Sequence, residues 1–88
     1  MHTITETDLV RAAQYKAIKR IRIEETPDSK YRTHITIMKE DHEQTLITQR
    51  KAPREWASLD RLVKHIRNSY GVIPSITLSL HYNQEQHQ

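Results

Sequence analysis

Residues 19–38 read KRIRIEETPDSKYRTHITIM, and apolar and polar side chains alternate on both sides of a central turn. Ile21 and Ile23 alternate with charged residues before the turn, and Ile35 and Ile37 alternate with polar residues after it. A repeat of two residues is typical of a strand with one buried face. The turn is Pro27-Asp28-Ser29-Lys30, in which proline presets φ and the Asp and Ser side chains can bond their own backbone. This stretch therefore predicts two antiparallel strands.

Two further extended segments follow outside this hairpin. Thr45–Thr48 is β-branched and follows a polar connection at 40–43, which extends the hairpin to an antiparallel meander. Ile76–Tyr82 alternates apolar residues with serine, threonine and histidine, which predicts a last strand with one dry face.

Two segments have helical signals. Thr5 can cap a short helix over residues 6–14, with Ile4 and Leu9 spaced as a hydrophobic staple. Ser58 can cap a second helix, which ends at the only glycine, Gly71, and Val72 is expected to fold back on this helix. The apolar stripe of the second helix consists of Leu59, Leu62, Val63, Ile66 and Tyr70.

These elements predict an α+β domain over residues 1–82, in the order α-β-β-β-α-β, with a polar tail at 83–88. We expect an antiparallel sheet of three to four strands with one main covering helix.

Composition limits the function classes. The 88 residues have a net charge of +3, no cysteine, and neither a long apolar run nor the pattern of a secretory signal. We therefore expect a cytoplasmic protein with no membrane partner.

The sequence contains no motif that indicates catalysis. The six histidines match no metal-ligand spacing, the single glycine excludes a glycine-rich phosphate loop, and no Gly-x-Ser-x-Gly motif is present. We therefore predict a protein that is not an enzyme, with no catalytic residues, no metal site and no cofactor.

The strand alternation predicts one basic sheet face. If the isoleucines point inward, the intervening cationic residues share the opposite face. Such a face resembles that of sheet-type DNA readers, because arginine can pair bidentately with guanine or phosphate. The predicted nucleic-acid contact set is Arg20, Arg22, Arg32, His34 and Arg54.

Two alternatives remain open. The same face, or a free edge at Ile76–Tyr82, could instead serve a protein-interaction module without nucleic-acid affinity, and edge pairing would give a homodimer. The histidine, arginine, lysine and tyrosine residues would also suffice for a small, metal-independent, toxin-like RNase.

Residues 46–50 (LITQR), 53–62 (PREWASLDRL) and Tyr70-Gly71 carry a family resemblance. A strand ending in a basic residue, then Pro-Arg, an aromatic residue, Ser-Leu-Asp and a helix closed by glycine resembles small ParC-type partition-associated proteins of plasmids and integrative elements. The resemblance covers about a third of the chain and supplies no catalytic residues. It implies an accessory role in plasmid DNA maintenance, with DNA and a partition ATPase as partners.

Overall fold

The computed structural model describes residues 2–81. Its elements are β1 (Thr3–Thr5), α1 (Glu6–Gln14), β2 (Ile18–Glu25), β3 (Tyr31–Ile37), β4 (Glu43–Ile47), α2 (Leu59–Tyr70) and β5 (Ile76–Ser79). The α+β class is therefore confirmed. Tyr82 and the predicted polar tail lie outside the described residues.

The strands form one mixed sheet in the order β1-β4-β3-β2-β5. β3 pairs antiparallel with both β2 and β4, whereas the outer pairs β1–β4 and β2–β5 are parallel. The predicted antiparallel sheet of three to four strands is therefore wrong in strand number, direction and order. The central meander is the part that the hairpin signals predicted.

Two crossovers place both helices on the same side of the sheet. The β1-α1-β2 connection and the β4-α2-β5 connection each pass over two intervening strands, in the same direction. Parallel strands need such a crossover, and a helix normally makes it. The two helices contact each other, so the covering layer consists of two helices rather than the one main helix predicted.

Local capping starts each helix where the sequence predicts. The Thr5 hydroxyl accepts a hydrogen bond from the Asp8 amide at 3.2 Å, and the Ser58 hydroxyl accepts one from the Arg61 amide at 3.3 Å. Gly71 ends α2 with a φ of +80°, a conformation that side-chain-bearing residues rarely adopt. Val72 does not fold back on α2, because it is almost fully exposed.

The core lies between the helices and the inner sheet face. It contains Ile4, Leu9, Ile18, Ile21, Ile23, Ile35, Leu46, Leu62, Ile66 and Tyr70. Ile4, expected as a staple residue, belongs to β1 and is buried in the sheet. No helix within residues 2–81 has the length and apolar character needed to cross a membrane.

Candidate interaction surfaces

The outer sheet face, which the helices leave uncovered, holds four of the five predicted contact residues. Arg22 lies opposite His34, and Arg32 lies opposite Glu24, so strand register places them on one face. Arg20 lies opposite Thr36 on the same face, after an irregularity between residues 18 and 20. The alternation thus predicted the geometry of this face.

Carboxylates neutralise much of the charge on this face. Arg22 donates two hydrogen bonds to Glu43, from Nε to Oε2 at 2.8 Å and from Nη2 to Oε1 at 2.9 Å. This bidentate pair raises the pKa of Arg22 and lowers the pKa of Glu43, mainly through its hydrogen bonds. The Arg22 guanidinium is thus already engaged by an anion.

Arg32 and His34 also have acidic neighbours. Arg32 Nη2 lies 2.8 Å from Glu55 Oε2, and Arg32 Nε donates to the same oxygen at 2.9 Å. His34 lies between Glu24 Oε1, at 2.7 Å from Nε2, and Thr45 Oγ1, at 3.0 Å from Nδ1. An added polyanion would therefore compete with built-in carboxylates at three positions.

Arg20 and Arg54 differ from these residues. Arg20 is exposed and lines a shallow depression beside Glu40, Asp41 and Glu43. Arg54 is on the helical side: its guanidinium carbon lies 4.6 Å from the centre of the Trp56 ring, and that ring packs against His65 of α2. The predicted contact set is therefore not one continuous surface.

Glu6, at the start of α1, links the two helices. Its Oε1 accepts a hydrogen bond from the Tyr70 hydroxyl at 2.7 Å, and its Oε2 lies 3.2 Å from His65 Nε2. Burial, and then the hydrogen bond to Glu6, raises the pKa of Tyr70. Both Glu6 oxygens are thus engaged by α2.

A cavity of about 590 Å³ opens beside this junction. It lies at the carboxyl ends of the parallel strands β1 and β4. Its lining consists of Thr5, Glu6, Thr7, Ile47, Thr48, Gln49, Arg50 and Arg54. Arg50 was not among the predicted contact residues, because no local pattern relates the loop after β4 to the start of α1.

β5 and the following Leu80 carry an apolar row that is only partly covered. Ile76 and Leu78 are register partners of Ile21 and Ile23, so they share the inner face. Ile21 and Ile23 are buried, whereas Ile76 is 40% exposed, Leu78 45% and Leu80 69%. The predicted dry face of this strand is therefore partly exposed to solvent.

Residues 2–81 contain no cluster of three or more histidine, aspartate or glutamate side chains arranged to hold a metal ion. No protein-family model matches the chain. A search of the curated proteins finds no significant match either.

Proposed function

We propose that the chain is a non-enzymatic protein-interaction module that binds through β5, and that its partner is a second copy of itself. The observation that carries this proposal is the partly exposed apolar row at a sheet edge. An edge strand offers unpaired backbone groups to another strand, and proteins usually protect such an edge with charge, proline or a covering element. Residues 75–80 contain neither a charged side chain nor a proline, and within residues 2–81 β5 is the last strand of the sheet.

The charge distribution favours a second copy of the chain as the partner at β5. Residues 75–80 contain no charged side chain, whereas the chain as a whole has a net charge of +3. Two identical basic molecules repel each other, so their most favourable contact is at an uncharged, apolar segment.

The pairing register of β5 also favours a second copy as the partner. An antiparallel pairing of two β5 strands about a two-fold axis at Leu78 would place Ile76 of one copy opposite Leu80 of the other. The apolar rows of the two copies would then lie side by side on one face.

The test is the molar mass in solution of the wild type, Leu78→Lys and Val72→Lys, measured by light scattering during size-exclusion chromatography. We expect the wild type and Val72→Lys at twice the chain mass of 10.5 kDa. Leu78→Lys should elute as a single chain, because the two-fold axis brings its two lysines together. Val72→Lys is the matched control, since Val72 is an exposed apolar residue outside β5.

A single-chain mass for the wild type at the highest soluble concentration would overturn the proposal, as would a dimeric Leu78→Lys. Circular dichroism confirms that each variant is folded. Leu78 is already half exposed in one copy, so we expect the lysine to leave the fold intact.

Nucleic-acid binding by the outer sheet face is the second candidate function. The shared face of Arg20, Arg22, Arg32 and His34 favours it. The carboxylate partners of three of these residues weaken it, because DNA phosphates would have to displace them. An accessory role near plasmid DNA, with a partition ATPase as partner, rests on the sequence resemblance alone.

A further inference from the structure

The cavity beside the α1–α2 junction has an architecture suited to a ligand. Thr5 of β1 and Ile47 of β4 are parallel register partners, and both line the cavity just as their strands end. The volume of about 590 Å³ is in the range of small-molecule sites.

The two arginines of this cavity are available for a ligand. Among residues 2–81, neither Arg50 nor Arg54 forms a side-chain ion pair with a carboxylate, in contrast to Arg22 and Arg32 on the outer face. These two guanidinium groups therefore have donors that an incoming anion can use without displacing a partner.

Backbone hydrogen bonds fix the loop that carries both arginines. The Arg54 amide donates to the Leu46 carbonyl at 2.9 Å, and the Thr48 amide donates to the Ala52 carbonyl at 2.8 Å. Trp56 supports the Arg54 guanidinium from one side through a cation–π contact. A prepositioned arginine loses less side-chain entropy when a ligand binds.

Glu6 is the one acidic residue in the lining, and α2 engages both of its carboxylate oxygens. The Tyr70 hydroxyl donates to one carboxylate oxygen, and His65 Nε2 lies within hydrogen-bond distance of the other. The lining has two arginines against this one glutamate, so its formal charge is positive and favours an anion.

We propose that this cavity binds the phosphate group of a small phosphate monoester, with Arg50 and Arg54 as the residues that contact the phosphate. A phosphate monoester carries nearly two negative charges at neutral pH, which match two guanidinium groups better than a carboxylate does. The cavity is larger than a bare phosphate requires. The polar residues Thr7, Thr48 and Gln49 also line it.

The test is isothermal titration calorimetry at constant ionic strength, with adenosine monophosphate, inorganic phosphate and adenosine as probes. We expect saturable binding of the monophosphate and no binding of adenosine. Arg50→Ala and Arg54→Ala should each weaken binding about tenfold or more, because each removes hydrogen bonds to a charged group. Arg61→Ala is the charge-matched control, since Arg61 is exposed on α2 and does not line the cavity.

The comparison of the two anions identifies the source of the phosphate. Tighter binding of the monophosphate supports a phosphate monoester, and equal affinities support free phosphate in the same two-arginine site. No saturable binding of either anion would overturn the proposal. The proposal would also be overturned if Arg50→Ala or Arg54→Ala bound the monophosphate as tightly as Arg61→Ala does. Thermal melting first shows that the variants are folded. None of these outcomes depends on β5 or on dimerisation.

Discussion

Thr33 has no exposed surface, and its hydroxyl has no hydrogen-bond partner among residues 2–81. It lies opposite Ile23 in the β3–β2 ladder, beneath the helices. A buried hydroxyl without a partner has lost its hydration without compensation. Thr33 is therefore a position where the polar group of a side chain opposes folding while its β-branched shape favours the strand.

We expect Thr33→Val to raise the free energy of unfolding by about 1 kcal/mol, because the substitution keeps the shape and removes the unpaired polar group. Urea denaturation followed by circular dichroism measures this change. Thr45→Val is the matched control, since the Thr45 hydroxyl is bonded to His34 at 3.0 Å. The control should be neutral or destabilising, and a destabilised Thr33→Val would mean that this hydroxyl has a partner in solution.

At the scale of elements, β1 is three residues long but contributes a core side chain. Ile4 is 7% exposed, while Thr3 and Thr5 on either side of it are exposed. The strand pairs with β4 along its full length, with the register Thr3–Thr45, Ile4–Leu46 and Thr5–Ile47. β1 therefore shields one edge of β4 and also holds the start of α1 against the sheet.

Ile4→Ala should lower the free energy of unfolding by about 2–4 kcal/mol, because it removes buried methylene and methyl groups and leaves a cavity. Thr3→Ala, on the opposite face of the same strand, is the control and should cost less than about 0.5 kcal/mol. Chemical denaturation of both variants measures the difference. Equal effects would show that β1 detaches from the sheet in solution.

The sequence was sufficient to predict those elements that carry their own signals. Capping by Thr5 and Ser58 placed both helices, and alternation placed the central strands. Three residues are too few to show alternation, so the sequence does not predict β1 and instead suggests Ile4 as a staple residue. The sequence does not predict the position of β5 beside β2, because strand order depends on crossovers, which leave no local pattern.

The same reasoning explains what could be predicted of the candidate sites. A two-residue repeat was enough to put Arg20, Arg22, Arg32 and His34 on one face. It did not predict their partners, because Glu43 and Glu55 come from segments whose register the repeat does not determine. The sequence leaves an edge position for β5 open as an alternative, and its dry-face prediction does not anticipate that Ile76 and Leu78 are 40% and 45% exposed.

At the scale of the whole molecule, charge pairing decides which cations can attract a polyanion. If the outer face contacts duplex DNA, Arg20→Ala should weaken binding more than Arg22→Ala, because Glu43 already engages Arg22. Glu43→Gln should strengthen binding, since it removes the competing carboxylate. Affinity should fall steeply with salt, as phosphate contacts release counterions.

Fluorescence anisotropy with a labelled duplex at two salt concentrations measures these differences. Lys64→Ala serves as the control, because Lys64 is exposed on α2 and pairs with Asp60 at 3.2 Å. Absence of binding at low salt would exclude direct DNA contact. Equal losses of DNA affinity for Arg20→Ala and Arg22→Ala would show that DNA displaces Glu43 from Arg22 at little cost.

The two crossovers have a practical consequence, because they leave β1 and β5 at opposite edges of the sheet. Cargo fused ahead of β1 would sit four strands away from the surface at which we expect two molecules to join. A domain fused directly after β5 would lie next to the proposed dimer interface. Reporters, affinity tags and immobilisation chemistry are therefore best attached at the amino end, where they leave self-assembly unobstructed.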